Sequence, residues 1–205
     1  MEVCSLFSGI GGIDLGFQQA GFDIVWANEF DKDAAITYRH NFCSKYLVEK
    51  DIRKVEITEI PDFDILVAGF PCQPFSIMGF RKGFNDPRGN LFFEIARIAE
   101  SKKPKVIFLE NVANLLEHDD GKSFLTVYNA LAPQGYSIRY QLMDSLEYGN
   151  VPQRRTRIFI VAFKDLEACE RFKFPNKVEL TTKLNDILVR EVKHDDIYYL
   201  SLIHI

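Results

Sequence analysis

The sequence has no apolar run approaching the roughly eighteen residues needed to cross a bilayer, and its start, Met1-Glu2-Val3-Cys4, lacks the basic opening of a secretory leader. Both absences point to a cytoplasmic protein with no membrane partner. Cysteine is scarce: Cys4, Cys43, Cys72 and Cys169 stand far apart, with no Cys-x-x-Cys pair, and the four histidines form no cluster that would complete a metal site. Free thiols and no metal are therefore expected. Internal repeats and low-complexity tracts are missing too. So is any surplus of positive charge: the formal net charge of −4 argues weakly against a nucleic-acid partner. Local clusters can override a net value, and Arg81-Lys82, Arg88 and above all Arg154-Arg155-Thr156-Arg157 are the candidates.

What is present suits one well-buried core, since 205 residues at 47% apolar and 26% charged is an ordinary globular composition. Short runs rich in Val, Ile and Phe at residues 3–7, 24–27, 65–68, 106–109 and 158–162 read as strands. Between them, residues 12–20, 31–42, 90–101 and 122–131 space their apolar positions as helices do. The alternation predicts an α/β fold, doubly wound, with a mostly parallel sheet and helices on both faces. Asp31 and Asp33 mark one helix start and Ser123 another. Residues 136–145 read as a further strand near the sheet edge. After Phe163 the pattern weakens: residues 164–177 are polar with scattered Phe, and 178–205 hold a short helix.

The first strand runs into Phe7-Ser8-Gly9-Ile10-Gly11-Gly12-Ile13-Asp14. Glycines placed there let the backbone turn sharply and approach a ligand, while the next helix offers unpaired N–H groups. The dinucleotide spacing Gly-x-Gly-x-x-Gly is not met, because its last position is Asp14. Glu29 closes the second strand, where a carboxylate can accept bonds from ribose hydroxyls, and Asp51 follows after the next helix. Two readings stand for this segment: an adenosine-type site, or glycines that only turn the chain beside a helix-capping Glu29.

The strand at 65–68 ends in Gly69-Phe70-Pro71-Cys72-Gln73-Pro74-Phe75-Ser76. Ligands of open α/β sheets bind beyond the carboxyl ends of the strands, and two prolines stiffen a loop by fixing their own φ and restraining the residue before each. That rigidity suits a nucleophile. Cys4, Cys43 and Cys169 read instead as small buried hydrophobes. Glu110-Asn111-Val112 stands at the mouth of another strand, where Glu110 is either a proton donor or a salt-bridged structural group. Tyr148-Gly149-Asn150-Val151-Pro152-Gln153-Arg154-Arg155-Thr156-Arg157 leads into the last clear strand. If that strand begins near Arg155, Arg155 and Arg157 share a face; the plainer reading is a solvated basic strand end.

Taken in order, Phe-Ser-Gly-x-Gly-Gly, a second-strand Glu, Asp51-Ile52, Gly-Phe-Pro-Cys-Gln-Pro-Phe-Ser, Asp86-x-Arg88-Gly89-x-Leu91-Phe92, Glu110-Asn111-Val112 and Gln153-x-Arg155-x-Arg157 resemble the cytosine-C5 DNA methyltransferases over residues 1–163. The resemblance implies S-adenosylmethionine (SAM) as cofactor. Phe7, Gly9, Gly11 and Gly12 would line its methionine end, Glu29 its ribose, and Asp51, Ile52 and Leu91 its adenine, with Pro71 also in the pocket. It implies a flipped cytosine in double-stranded DNA as substrate. Cys72 would attack C6, Glu110 would hold or protonate N3, and Arg155 and Arg157 would fix the base.

Residues 1–163 are accordingly expected to form the SAM-binding catalytic domain, and 164–205 the start of a target-recognition region or a truncated tail. The family continues with such a region and with a late segment completing the SAM pocket, neither evident here. A truncated member, or one subunit of a split enzyme needing a second chain, is therefore expected, with an RNA cytosine methyltransferase as a further alternative. The tRNA-methylating relatives carry Thr where this loop has Ser76, which favours DNA.

Overall fold

A computed structural model describes residues 1–42, 44–71 and 91–188. Seven strands, β1 (Glu2–Leu6), β2 (Asp23–Asn28), β3 (Leu47–Val48), β4 (Ile65–Gly69), β5 (Val106–Val112), β6 (Ser137–Asp144) and β7 (Thr156–Phe163), form one sheet in the order β3-β2-β1-β4-β5-β7-β6. The first five pair in parallel, whereas β7 runs antiparallel to β5. The expected five strands and the edge strand at 136–145 are all there. The two-residue β3 is too short to show a period, and the reversal of β7 leaves no trace in local periodicity.

Strand alternation splits the core into two layers. Cys4, Leu6, Leu66, Ala68, Ile107 and Leu109 pack against α3 (Leu91–Lys102) and α4 (Lys122–Leu131). Val3, Ala27, Ile65 and Val67 face α1 (Gly12–Gln19) and α2 (Lys32–Asn41). Helices thus cover both faces. A register shift between Val3 and Cys4 lets Ile24 join one layer and Trp26 the other, although strict alternation would put both on the same side.

Asp31 caps α2, its carboxylate accepting from the Ala34 amide at 2.8 Å. Ser123 does not cap α4. That helix starts from Gly121, at φ 80°, and Ser123 is a fully buried residue within it, its Oγ 2.6 Å from His118 Nδ1. Past Phe163 the chain forms a further helix, α6 (Leu166–Arg171), which packs Cys169 beside Val161 and Phe163. Its six residues carry too few apolar positions to register as periodic.

The chain divides into two compact units. The first, Met1–Met143 with Thr156–Phe174, holds the sheet. The second, Asp144–Arg155 with Pro175–Ile205, contains two one-turn helices, α5 (Ser145–Tyr148) and α7 (Leu184–Ile187), the latter within the span expected to hold a short helix.

Candidate active site

Because β1, β2, β4 and β5 are parallel, their carboxyl ends lie along one edge of the sheet, and the antiparallel β7 brings its first residues to that same edge. The strand order reverses between β1 and β4, which opens a crevice there. On the β1 side stands the glycine turn. Phe7, Gly9 and Gly11 all adopt positive φ, at 55°, 56° and 93°. For Phe7 this is a strained conformation, of the kind that persists where a site requires it.

The turn is held from three sides. The Gly9 amide donates to Glu29 Oε2 at 2.7 Å, while Glu29 Oε1 accepts from the Asp31 amide at 2.7 Å. Each oxygen of that carboxylate keeps a further lone pair for another donor. The Ser8 amide donates to the Asn28 carbonyl at 3.0 Å. Behind the turn, the Phe42 ring lies on Gly11 so closely that an added Cβ would sit 2.1 Å from it. Phe42 in turn stacks on Tyr38 with ring centroids 4.5 Å apart. Gly11→Ala should therefore cost about 2–3 kcal/mol, from the left-handed backbone and the ring overlap together, and lower the Tm by roughly 4–10 °C. Thermal unfolding checks this; an unchanged Tm would show that the turn can rearrange.

Asp14 explains the missing third glycine of the dinucleotide pattern. It is fully buried, and its carboxylate accepts from Ser5 Oγ at 2.6 Å and Tyr38 Oη at 2.7 Å. Ser8 Oγ donates to Ser5 Oγ at 2.9 Å, extending the chain into the turn. Burial raises the Asp14 carboxyl above its ordinary value, opposed by the two hydroxyl bonds. Burial, with the nearby Asp14 charge, pushes Tyr38 far up, so it remains a donor throughout the physiological range.

Asn28, buried at the end of β2, donates from Nδ2 to the Val48 and Lys50 carbonyls at 2.9 and 2.7 Å and so fixes the approach to Asp51. The Asp51 carboxylate is held by Arg53, with Nη2–Oδ2 at 2.5 Å, and that hydrogen bond is the main reason it lies below the usual aspartate range. Ile52 is buried, and Leu91, the first residue of α3, packs against the same core. Gly12 and Pro71 are exposed.

On the β4 side, Phe70 is buried and its carbonyl accepts from Asn111 Nδ2 at 3.0 Å. Asn111 thereby ties the end of β5 to Phe70, just past the end of β4. Cys72 itself, with Cys43, Arg81-Lys82, Asp86, Arg88 and the apolar tail at 198–205, lies outside the described residues. Glu110 pairs with Gly69 across β4–β5 and with Phe159 across β5–β7, so Arg157, two residues from Phe159, is its diagonal neighbour on one face. The result is an ion pair, Arg157 Nε to Glu110 Oε1 at 2.9 Å, with both side chains about one-fifth exposed (21% and 22%). β7 begins at Thr156, so the alternation that would place Arg155 beside Arg157 does not reach Arg155, which belongs to the second unit.

The carboxyl edge of the sheet thus carries the Glu110–Arg157 pair next to Gly69 on one side of the strand reversal and the strained glycine turn held by Glu29 on the other. The family model of the C-5 cytosine-specific DNA methylases matches residues 1–203. The chain belongs to this family. It is 50% identical over 201 residues to the Type II methyltransferase M.Bsp6I of Bacillus sp. (strain RFL6), covering 97% of this chain and 64% of that protein. To the Type II methyltransferase M.HhaI of Haemophilus parahaemolyticus it is 46% identical over 196 residues, covering 95% and 59%. The methyltransferase EhMeth of Entamoeba histolytica shares the fold with a TM-score of 0.71 at 25% identity, over 94% of this chain and 61% of that one. The chain thus spans less than two thirds of the length of these relatives. Among the described residues no helix is long and apolar enough to cross a membrane.

The motifs give Asn111 no role of its own, which its bond to the Phe70 carbonyl supplies, and they do not include Phe30, which follows Glu29 in sequence and is 71% exposed.

Proposed function

We propose that this chain carries the cofactor site and the catalytic groups of a SAM-dependent DNA (cytosine-5-)-methyltransferase that works in the cytoplasm, with residues 1–163 as the catalytic domain and 164–205 beginning the target-recognition region. The observation that carries the reading is the Glu110–Arg157 pair at the root of the Cys72 loop, across the crevice from the glycine turn.

The cofactor fits the residues present. The turn at Phe7, Gly9, Gly11 and Gly12 lets the backbone approach the methionine end closely, the spare lone pairs of Glu29 suit ribose hydroxyls, and the exposed ring of Phe30 offers a face on which adenine can stack. Ile52, Leu91, Pro71 and Asp51 complete the adenine side; the hold of Arg53 on Asp51 leaves that carboxylate as an acceptor only. Bound SAM supplies an electrophilic methyl group on a sulfonium.

The chain's residues supply the rest. The Cys72 thiolate adds to C6 of a cytosine flipped out of the duplex, while Glu110 holds or protonates N3, so electron density moves to C5. After C5 is methylated, the C5 proton passes to solvent water, the C5–C6 double bond re-forms, Cys72 departs as thiolate and N3 gives its proton back to Glu110. Arg157 orients Glu110 and holds the base. Target choice rests on the region that residues 164–205 begin, or on a second chain.

Glu110→Gln should lower the rate of methyl transfer by about 10²–10⁴, the usual worth of a positioned proton donor. Stability should change by less than about 1 kcal/mol, since the ion pair is partly solvent-screened. Transfer of radiolabelled methyl to a mixed-sequence duplex measures the first and thermal unfolding the second; a variant that transfers at the unmodified rate would remove Glu110 from the chemistry.

A further inference from the structure

The second compact unit holds a feature that the catalytic reading leaves unused. Its loop, Asp144–Arg155, is cinched on Ser145, whose amide and Oγ both donate to the Arg155 carbonyl, at 3.2 and 3.3 Å. The Ser145 carbonyl accepts from the Gly149 and Val151 amides, at 2.9 and 3.4 Å. Between those two amides sits Asn150, at φ 51°, a left-handed conformation that Asn tolerates better than most residues.

The Asn150 side chain points away from its own loop. Its Oδ1 accepts from the Thr181 and Thr182 amides at 2.7 and 3.0 Å, and its Nδ2 donates to Thr181 Oγ1 at 2.9 Å. A second fastening lies three and four residues upstream of Thr181: the Val178 amide donates to the Glu147 carbonyl at 2.8 Å, and Lys177 Nζ meets Glu147 Oε2 at 2.6 Å. Three bonds from one side chain to a segment some thirty residues on are more than a loop needs to hold its own shape. The bonds run to a stretch within residues 164–205, proposed above as the start of the target-recognition region.

We propose that Asn150 is a positioning residue: by clamping Thr181–Thr182 to the loop it fixes, through Ser145, the backbone from Gln153 to Arg155, and so couples the basic run to the segment leading toward target recognition. This rests on the DNA-methylating reading above. Asn150 touches neither base nor cofactor in this account; it acts through the carbonyl that Ser145 holds.

The test is amide hydrogen exchange on the full chain, resolved over 144–155 and 178–182, with duplex binding measured alongside. Asn150→Gly keeps the left-handed backbone and deletes the side chain. It should speed exchange in both segments by about tenfold or more, the scale of two or three lost hydrogen bonds, and weaken binding to a mixed-sequence duplex several-fold, with the Tm within ~3 °C. Asn150→Asp retains the acceptor for both threonine amides and should restore slow exchange and most of the binding. Unchanged exchange over 144–155 in Asn150→Gly, or an Asp variant as fast as the Gly variant, overturns the clamp. If the unmodified protein binds no duplex, the DNA reading fails while the exchange result still decides the clamp.

Discussion

Methyl transfer should fall to background when Cys72 is replaced by serine, a loss on the order of 10⁴-fold or more, as removal of a nucleophile causes in other enzymes. Cytosine C6 is a poor electrophile, and a serine hydroxyl does not ionise near neutrality, so the substitution removes the only attacking group while keeping its size. The loop root should be undisturbed, because the Asn111–Phe70 bond involves neither the thiol nor its neighbours. SAM affinity and Tm should therefore stay near those of the unmodified chain, which separates lost chemistry from lost fold. A duplex carrying 5-fluorocytosine sharpens the test: fluorine at C5 cannot leave as a proton does, so elimination stalls and the C6 adduct accumulates. The adduct should map to Cys72. Finding it on Cys169, which is buried, or on Cys43 would sink the assignment. Both arms are run with and without the downstream portion of the family's length.

How much of this was legible in the sequence depended on how local each feature is. Strands and helices show in runs of five to ten residues, and the two-layer alternation of the core follows from them, so the doubly wound architecture could be read directly. Strand direction is different in kind. β7 carries the same apolar pattern whichever way it runs, yet its reversal is what brings Arg157 to the carboxyl edge beside Glu110, a contact between residues forty-seven positions apart in sequence. The motifs named both partners without showing that they touch. Arg155 illustrates the sensitivity to boundaries: it lies immediately before the first residue of β7, and period-two alternation carries no information past a strand's end. Asp14 was visible only as a failure of the glycine pattern. Its meaning lies in Ser5 and Tyr38, nine residues before it and twenty-four after it, which no local window joins.

That buried carboxylate gives the second large effect. Asp14→Ala leaves two buried hydroxyls, Ser5 and Tyr38, without their acceptor, at about 1–3 kcal/mol each. Relief from burying a charge offsets part of this, so the net loss should be ~3–5 kcal/mol, or on the order of 10 °C in Tm for a chain of this length. Because Ser8 is bonded through Ser5 to the same group, the glycine turn should loosen as well, and amide exchange at Gly9 and Gly11 should rise. The pH dependence has a definite sign. Burial raises the folded-state carboxyl above the ordinary aspartate value of 3.8, so between those two values the native state binds more protons than the unfolded one. Stability from this group is therefore fully present below about 3.8 and is lost as pH rises through the folded value. Asp14→Asn has no such titration. The advantage of the unmodified protein over Asp14→Asn, measured by urea unfolding, should accordingly grow as the pH is lowered from 7 toward 4. Glu59 and Asp64, both lowered by lysine partners, lose stability over the acid range in the opposite sense, but they do so in both proteins and cancel in the difference. A gap that stays constant or narrows toward acid would mean that Asp14 is not the buried, burial-raised acceptor its two short bonds make it.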